Sequence, residues 1–583
     1  MSSPAHDLLR HNLRAGAPVY IRGAALLVIT NALALSIPWL LRRAVDDLRA
    51  GQPLRQIGIL AAAMAAVALA QALLRTASRM LILGYARRTA AGVRERLQAH
   101  LLRLPASFYD RARVGDLMSR TVNDLRSLRN FFGPGVLNLL NTTIIAAGAL
   151  GMLLWLDVWL TLAALVVYPV FVTVVLRTVR QIHHCSRRAQ ERLADLTARV
   201  EQSIMGHVQI QAFSQEDHEV AAFSSLSSAY RRSNLELARA RGRMVPMMGL
   251  LTGLGALVVL GFGGWQVARG DMTLGDFVAF TVVLGLLSGP IIALGWTLDL
   301  FQRGATAAAR IQEVLDVPAT AVQPPIRPTP ARAAGRLTLR SVIFRYDSDG
   351  RAPDLKGVTL DIAPGEHVGI AGSVGSGKST LLALLAGLYP PDSGTVLLDG
   401  RSLASWPRGT LRRSIVLASQ EAFLFSRSLA DNVRLGRPDL TREEIEEWLW
   451  RVAFDTDLAQ FPAGIDTPVG ERGLTLSGGQ RQRVALARAL AVEAPVVLLD
   501  DPLSMVDSHT EALALGRLRE VLHNRTVLLA SHRLTTLEHM ERIVVLERGL
   551  NVEEGTPQEL LARQGAYARL VLHGGPAAAP GGA

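Results

Sequence analysis

Six long stretches of apolar residues fill the first half of the chain. They lie near residues 19–41, 57–83, 131–155, 158–177, 244–267 and 273–300. Most contain about 18 or more residues with few charges, which is enough for a helix to cross the apolar core of a bilayer. Runs of this kind stop after residue 318. The pattern therefore predicts an α-helical transmembrane domain over residues 1–315 with six spans.

The loops between these stretches differ in length and charge. Short loops, about LDVW and QVARGDMTLG, follow the third and fifth stretches, whereas long arginine-rich segments follow the second and fourth. Because basic loops stay on the cytoplasmic side, both termini and both long loops are predicted to be cytoplasmic. Four arginines of the first external loop conflict with this topology: Arg42, Arg43, Arg49 and Arg55. Asp46 and Asp47 offset them in part, and a helix that extends beyond the bilayer would relieve the conflict.

The second half of the chain has a different pattern. The segment DVPATAVQPPIRPTPARAAGR (316–336) is predicted to be a linker, because its prolines cannot continue a helix. From 337 to 573, strand patterns alternate with helical patterns and turn signals, which is typical of an α/β domain with a mostly parallel sheet. The tail GGPAAAPGGA (574–583) is rich in small residues and is expected to be disordered.

Composition narrows the possible partners. A formal net charge of +12 can indicate nucleic acid, anionic lipid or basic cytoplasmic loops. Much of the arginine excess lies in the two long loops, so the lipid bilayer is the expected partner and nucleic acid is not. The single cysteine, Cys185, excludes an intrachain disulfide and a cysteine-based metal site. We interpret it as a bystander thiol.

The sharpest motif lies in the segment HVGIAGSVGSGKSTLLALLAG. A predicted strand, residues 367–371, runs into Gly372-Ser373-Val-Gly375-Ser376-Gly377-Lys378-Ser379, and a leucine-rich helix follows. This is the phosphate-binding pattern G-x-x-x-x-G-K-[ST] in its strand–loop–helix context. Glycines let backbone N–H groups surround phosphate oxygens, and the helix N-terminus adds its dipole. Lys378 is predicted to reach the β- and γ-phosphates of ATP, and Ser379 to bind Mg²⁺.

Lysine usage supports this interpretation. Lys356 and Lys378 are the only lysines in the chain, and arginine is used at every other cationic position. A compact ammonium fits between phosphates where a planar guanidinium does not. Lys356 has no such context and is expected to be a surface residue.

Further motifs occur around this loop in a fixed order. Tyr346 could stack on adenine or pack as an edge residue, and Gln420 could contact Mg²⁺ or its water. The segment LTLSGGQRQRVALARAL places Ser477, Gly478, Gly479 and Gln480 at a predicted helix N-terminus, again an anion site. His532 follows a predicted strand and could contact a γ-phosphate, although a lone histidine is more often structural. Asp500 ends the strand VVLLD and is placed to hold the metal ion.

Together these motifs resemble an exporter-type half-transporter of the ATP-binding cassette (ABC) superfamily over residues 15–573. The resemblance implies a P-loop ATPase domain in which 372–380, including Thr380, is Walker A and 496–500 is Walker B. It implies further that 476–480 is the signature segment and 504–507 the D-loop. Tyr346 is then the A-loop aromatic, Gln420 the Q-loop residue and His532 the switch histidine, while 467–473 resembles the X-loop.

The long cytoplasmic loops fit the same resemblance. FYDRARVGDLMSRTVNDLRSLR, within 108–130, and QAFSQEDHEVAAF, within 205–223, are similar to the two intracellular loops of the exporters. In that family these loops carry short coupling helices that dock on the ATPase domains. The alternative for such segments is a solvated charged helix.

Asp501 is the one departure from the family pattern. The family has a glutamate after the Walker B aspartate, and this glutamate acts as general base or positions the attacking water. A carboxylate that is one CH₂ shorter retreats from the water, and general-base catalysis is steeply sensitive to distance. We therefore expect ATP to bind here and to be hydrolysed poorly. The favoured assembly is a heterodimer whose partner half-transporter supplies a glutamate; a homodimer with Asp501 as a working base is the alternative.

The substrate is less defined. The spans hold almost no charge near mid-membrane, which favours hydrophobic or amphipathic substrates such as drugs, lipids or peptides. Asp299 could meet a cationic substrate group or pair with Arg303. An exporter-shaped siderophore importer and an ATP-regulated membrane protein that does not pump remain as alternatives. The multi-pass chain is expected in a membrane, the bacterial inner membrane being favoured.

Overall fold

The computed structural model describes residues 4–319, 332–346, 352–470, 473 and 475–574. They fall into two compact units. The first comprises residues 1–102 and 113–317, and the second residues 103–112 and 318–583. Most of the predicted linker and nearly all of the predicted disordered tail lie outside the described residues.

Long helices make up the first unit. In chain order, the helices from the N-terminus are α1 (Pro4–Arg49), α2 (Leu54–Leu101), α3 (Ala106–Arg111), α4 (Val114–Ser119), α5 (Leu125–Asn130), α6 (Val136–Leu156), α7 (Val158–Leu165), α8 (Val167–Met205), α9 (His207–Ala212), α10 (Glu216–Val258), α11 (Gly264–Arg269) and α12 (Leu274–Leu315). π-Helical turns, Arg120–Asp124, Phe131–Gly135 and Val259–Gly263, connect some of them. All belong to the first unit except α3, which lies in the second.

Each predicted apolar stretch lies within these helices. Among the described residues, three helical segments are long and apolar enough to cross a membrane: Asp7–Arg49, Leu54–Leu101 and Val114–Leu156. A shorter apolar segment is Leu274–Leu287. The helical membrane architecture is thus confirmed, and the number of six spans stays a prediction.

The arginines of the first external loop are accommodated by helix length and ion pairing. Helix α1 has 46 residues, or about 69 Å at 1.5 Å per residue, so it extends well beyond an apolar core of about 30 Å. Arg42 Nε lies 2.7 Å from Asp276 Oδ1 at the start of α12. Asp46 Oδ1 accepts a hydrogen bond of 2.9 Å from the backbone N–H of Gly275. These contacts join the first and third predicted external loops.

The first predicted coupling loop is divided between the units. Its N-terminal part includes α3, in the second unit. Its C-terminal part, in the first unit, is tied to α12 by ion pairs: Arg310 pairs with Asp116 and Asp124, and Arg120 Nη1 lies 3.0 Å from Glu313 Oε2. The second predicted loop contains the short helix α9.

The strands of the second unit form two sheets. In chain order they are β1 (Leu337–Phe344), β2 (Leu355–Ile362), β3 (His367–Ala371), β4 (Ser393–Leu398), β5 (Arg401–Ser402), β6 (Ile415–Ala418), β7 (Val496–Asp500), β8 (Thr526–Ala530), β9 (Arg542–Glu547) and β10 (Leu550–Gly555). An antiparallel sheet has the order β2-β1-β4-β5, and a mostly parallel sheet has the order β10-β9-β3-β8-β7-β6. The prediction of an α/β domain is confirmed.

Besides α3, the second unit also contains ten α-helices among the described residues. They are α13 (Lys378–Leu385), α14 (Arg408–Ser414), α15 (Leu429–Val433), α16 (Arg442–Arg451), α17 (Asp455–Leu458), α18 (Gly478–Leu490), α19 (Ser508–Leu522), α20 (Leu534–Leu537), α21 (Pro557–Ala562) and α22 (Ala566–Gly574). Strands β7 and β8 are buried along their whole length, as expected for a parallel sheet covered on both faces.

Strand topology explains why the distant motifs converge. Strands β3, β6, β7 and β8 are parallel neighbours in the sheet. Their carboxyl ends therefore lie at one edge, where ligands bind in open α/β sheets. The phosphate-binding loop, Gln420, Asp500 and His532 each follow or end one of these strands.

Candidate nucleotide-binding site

The phosphate-binding loop depends on the backbone freedom of glycine. Gly372 and Gly377 have φ values of +154° and +104°. A Cβ at Gly372 would lie 2.4 Å from the Leu546 carbonyl oxygen, and one at Gly377 would lie 2.8 Å from a methyl carbon of Leu355. Side chains at these positions would distort the loop, so the two glycines are needed for its shape.

Lys378 lies inside the loop. Its Nζ donates hydrogen bonds of 2.8 Å to the Gly372 carbonyl and 3.0 Å to the Ser373 carbonyl. Burial lowers the pKa of Lys378, while the charges of Asp500 and Asp501 act in the opposite direction. The ammonium is therefore held where loop carbonyls and carboxylates surround it, and phosphate oxygens would add further acceptors.

Ser376 provides independent evidence that the loop fits a phosphate. Its residue is only 2% exposed, and its Oγ has no hydrogen-bond partner among the residues that the structure describes. Buried hydroxyls are usually hydrogen-bonded. A phosphate oxygen in the loop would supply an acceptor for this donor.

Asp500 and Ser379 form an oxygen pair next to the loop. Burial raises the pKa of the Asp500 carboxyl, and the neighbouring Ser379 hydroxyl acts in the opposite direction. Carboxylate and hydroxyl oxygens are ligands that suit Mg²⁺. Within the described part of the chain no group of three or more His, Cys, Asp or Glu side chains could hold a metal alone. The two side chains thus fit a Mg²⁺ ion that takes its other ligands from phosphate and water.

Asp501 has an unusual backbone and a buried side chain. Its φ is +45°, in the left-handed region, which aspartate tolerates better than most residues. The residue is 7% exposed. Its backbone N–H donates to the Ala530 carbonyl at 2.8 Å, and its Oδ1 accepts a hydrogen bond of 3.2 Å from Ser531 Oγ. The carboxylate is therefore bound to the residue that precedes His532.

Gln420 and His532 occupy the same edge of the sheet with exposed side chains. His532 lies close enough to Asp500 for its charge to favour the carboxylate form, a minor effect on that pKa. The backbone carbonyl of Gln420 accepts a hydrogen bond of 3.3 Å from Gln482 Nε2. Both predicted residues are available to a ligand, and their roles stay predictions.

Tyr346 lies two residues after β1 and is 39% exposed. Burial raises the pKa of the Tyr346 hydroxyl, and the nearby Thr380 hydroxyl at the start of α13 acts in the opposite direction. Its ring makes edge contacts with Phe344 and Tyr389, with centroid distances of 5.0 and 5.1 Å. The predicted adenine-stacking residue is thus positioned beside the phosphate-binding helix.

The signature segment forms the N-terminus of α18. Ser477 Oγ accepts a hydrogen bond of 3.2 Å from the Gln480 backbone N–H, and Gln480 Oε1 accepts one of 2.8 Å from the Ser477 N–H. This capping box fixes the helix start. Gln480 Nε2 also donates to Asp457 Oδ1 at 2.7 Å. In the described residues, no hydrogen bond or ion pair joins 477–480 to the loop 372–380.

Close packing explains the glycines of this segment. A Cβ at Gly478 would lie 2.6 Å from Met505 Sδ, and one at Gly479 would lie 2.8 Å from the Met505 carbonyl oxygen. At Gly479 the contact is with backbone, so glycine is needed there for the D-loop to lie against the start of α18.

Two residues that the motif search did not single out hold the D-loop. Gln482 Nε2 donates to Ser504 Oγ at 2.8 Å, and its Oε1 accepts from the Met505 N–H at 2.9 Å. Arg533 Nη2 donates to the carbonyls of Ser504 and Val506 at 2.9 and 3.0 Å. In the sequence, only their positions could have indicated this role. Gln482 lies two residues after the signature segment, and Arg533 lies one residue after His532.

A chain with membrane-crossing helices and a phosphate-binding loop at the edge of a parallel sheet is a membrane-embedded P-loop ATPase. Comparison with known families refines this class. The model described as "ABC transporter transmembrane region" matches residues 21–291, and the model described as "ABC transporter" matches residues 355–504.

Proteins of similar sequence or structure match this chain along most of its length. The "Probable multidrug resistance ABC transporter ATP-binding/permease protein YheI" of Bacillus subtilis (strain 168) is 34% identical over 554 residues, covering 94% of each protein. The "ATP-dependent lipid A-core flippase" of Chromobacterium violaceum is 36% identical over 481 residues, covering 82% of this chain and 81% of the flippase. A solved structure, "Structure of a bacterial Atm1-family ABC exporter with ATP bound", aligns with a TM-score of 0.79 and 26% identity, covering 96% of this chain and 99% of that one.

The chain therefore belongs to the ABC transporter family, with a transmembrane region fused to an ATPase domain. It is an integral membrane protein that couples ATP to transport, and its ATPase domain is cytoplasmic.

Proposed function

We propose that this chain is one half of a heterodimeric exporter of hydrophobic or amphipathic compounds in a bacterial inner membrane, and that its own Walker site hydrolyses ATP weakly. The observation that carries the proposal is Asp501, a short, buried carboxylate in an otherwise complete set of motifs. The names of the relatives, a multidrug resistance transporter and a lipid A-core flippase, support the substrate class.

The geometry of Asp501 supports a weak site. A general base must come within about 2.6–3.2 Å of the proton that it removes. Asp501 is shorter than glutamate by one CH₂, and its Oδ1 is already bound by the buried Ser531. Moving the carboxylate toward a water would break this hydrogen bond. Since general-base catalysis contributes roughly 10²–10⁴ in rate, poor positioning forfeits much of that factor.

Binding of the nucleotide does not depend on Asp501. We propose that Lys378 and the N–H groups of the loop hold the phosphates, that Ser379 and Asp500 hold Mg²⁺, and that Tyr346 stacks on adenine. Mg²⁺, when bound, neutralises phosphate charge. We therefore infer that the site retains ATP while turning it over slowly.

The signature segment points to the partner. It is complete and well ordered by its capping box, yet in the described residues it makes no polar contact with this chain's own phosphate loop. In the proposed heterodimer, 477–480 completes the partner's site, and the partner's glutamate performs most of the hydrolysis. We propose residues 1–315 as the transmembrane domain, 316–336 as the linker and 337–573 as the cassette.

The substrate proposal rests on the membrane helices. Asp299 forms an ion pair with Arg303 one turn away on α12, which favours local pairing over a role in binding a cationic substrate. With this carboxylate neutralised, apolar surface remains the main feature that a substrate would meet. An amphipathic drug or a lipid fits that chemistry best.

Transport by inside-out vesicles tests the proposal. Vesicles that contain this chain and a partner half-transporter are given an amphipathic fluorescent dye, with ATP or without it. We expect dye accumulation that requires ATP and Mg²⁺, that is lost when Lys378→Ala is combined with the matching change in the partner, and that persists in Asp501→Asn. ATP binding without any accumulation of drugs or lipids would favour the ATP-regulated membrane protein instead.

A further inference from the structure

We propose that a groove beside the N-terminal part of α1 binds an anionic phospholipid of the cytoplasmic leaflet. The groove belongs to the first unit and has a volume of about 460 Å³. Four apolar residues and two arginines line it: Leu9, Leu13, Ala17, Phe131, Arg10 and Arg14. None of them belongs to a nucleotide-binding motif or to a predicted coupling loop, so the proposed function does not account for this groove.

The depth of the groove in the membrane follows from the packing of α1 against α12. Leu8 lies in one apolar cluster with Ala308 and Ile311, near the C-terminal end of α12. After α12 the sequence continues into the ATPase domain, which is cytoplasmic. The first apolar stretch begins near residue 19, just after Ala17. The groove therefore lies where α1 passes from the cytoplasm into the bilayer, at the depth of lipid headgroups.

One wall of the groove is an apolar stripe on α1. Leu9, Leu13 and Ala17 are spaced four residues apart, which places them on the same face of the helix, and all three are half-buried. The stripe leads directly into the first apolar stretch. An acyl chain that lies in the bilayer can therefore continue along this wall, whereas a small soluble anion would leave the apolar wall uncovered.

The floor of the groove is a fixed aromatic ring. Phe131 is 6% exposed, and its ring makes edge contacts with Phe132 and Phe301 at centroid distances of 5.1 and 4.8 Å. Helix α12 packs closely against it, because a Cβ at Gly304 would lie 2.5 Å from the Cβ of Phe131. The floor is thus held in place by its neighbours, and a ligand would not have to order it.

The charged side of the groove is basic. Arg10 and Arg14 lie one turn apart on α1, and both are exposed. Among the residues that the structure describes, neither arginine forms an ion pair, and no acidic side chain lines the groove. Asp7, in the first turn of α1, lies outside the lining.

The chemistry of these two arginines favours a phosphate. A guanidinium binds phosphate oxygens in a bidentate manner, and an arginine stem can lie along apolar surface while its charge stays in water. The combination of two unpaired guanidinium groups with an apolar wall at headgroup depth fits a phospholipid that has a net negative charge. Basic segments on the cytoplasmic side of a membrane helix attract such lipids.

Binding of a short-chain phospholipid to the full chain in detergent tests this proposal. The probe is dioctanoyl phosphatidylglycerol, and native mass spectrometry gives the Kd for the first bound molecule in the absence of ATP. Dioctanoyl phosphatidylcholine has the same acyl chains and no net charge. Glycerol phosphate, added as a competitor, has the phosphate charge and no acyl chain.

Removal of the two charges should weaken binding of the anionic lipid. Because one arginine close to anionic lipid contributes about fivefold in affinity, we expect Arg10→Gln/Arg14→Gln to raise the Kd for phosphatidylglycerol roughly 20- to 30-fold. The matched control is Arg87→Gln/Arg88→Gln, which removes the same charge from exposed positions on α2 outside the lining. We expect that control to change the Kd less than about twofold.

Filling the groove tests the apolar wall separately. Ala17→Phe keeps both arginines and occupies the space that an acyl chain would use, so the Kd for phosphatidylglycerol should rise at least tenfold. Ala15→Phe is the control, since Ala15 is exposed on the same helix and does not line the groove.

The parent chain should bind phosphatidylglycerol at least tenfold more tightly than phosphatidylcholine, and glycerol phosphate should not compete. Equal affinity for the two lipids, or equal losses in the two arginine variants, would overturn the proposal. So would unchanged affinity in Ala17→Phe. Effective competition by glycerol phosphate would overturn it in favour of a site for soluble phosphate. Since the measurement requires neither ATP nor a partner chain, its result is independent of the proposed function.

Discussion

At the scale of single residues, the site is specified by side-chain chemistry that few substitutions would preserve. Lys378 is one of two lysines in a chain with 62 lysines and arginines together. It lies within the loop and binds two of its carbonyls. A guanidinium is planar and larger than an ammonium, and its charge is spread over three nitrogens. It therefore cannot occupy the position of the Lys378 ammonium inside the loop in the same way.

Lys378→Arg should therefore weaken the binding of an ATP analogue at this chain's own site by at least about tenfold, or ~1.4 kcal/mol. Lys356→Arg is the matched control, since Lys356 is the other lysine and is exposed. Equilibrium binding to the purified chain provides the measurement. Equal affinities for the two variants would show that the ammonium is not needed in the loop.

At the scale of elements, the parallel sheet gathers the motifs and polar side chains hold the loops between them. Gln482 on α18 is 3% exposed and contacts three separate backbone or side-chain groups: the Gln420 carbonyl, the Ser504 hydroxyl and the Met505 N–H. This one side chain therefore links the Q-loop, the D-loop and the signature helix. Arg533, which follows the D-loop in the sequence, also holds it through hydrogen bonds to the carbonyls of Ser504 and Val506.

Gln482→Ala should release the D-loop and leave buried polar groups without partners, which costs about 1–3 kcal/mol. We expect ATP turnover by the assembled transporter to fall roughly tenfold, because the proposed composite site with the partner's glutamate uses this region, while ATP-analogue affinity changes less than about threefold. The control is Gln460→Ala, which removes an exposed glutamine that makes only a weak 3.4 Å hydrogen bond to the Thr456 carbonyl. Equal turnover in the two variants would argue against a linking role.

At the scale of the whole molecule, the sequence predicts those elements whose form depends on neighbouring residues in the chain. Strands β3 and β7 have the predicted bounds, His367–Ala371 and Val496–Asp500, because buried parallel strands are mostly continuous apolar segments. The glycine-rich loop and the helix-capping residues could likewise be read from short segments. The extension of α1 beyond the bilayer was also anticipated, since arginines such as Arg42 needed an aqueous environment or an acidic partner.

Contacts between distant segments could not be predicted in this way. Nothing in the residues around Asp110 indicates a hydrogen bond to Tyr389, which is 279 positions away. The same holds for the hydrogen bond of Asp501 with Ser531 and for its left-handed backbone, which depend on how β7 and β8 pair.

Asp501 is proposed to belong to a weak hydrolytic site within a heterodimer. The most direct test is ATP turnover by the purified chain alone and with a second half-transporter that has glutamate at this position, each with Asp501, Asp501→Asn and Asp501→Glu. We predict little turnover by the chain alone, ordinary turnover by the pair, and less than about a twofold change in the pair for Asp501→Asn. Ordinary turnover by the chain alone that Asp501→Asn abolishes would contradict the claim and make Asp501 the working base of a homodimer.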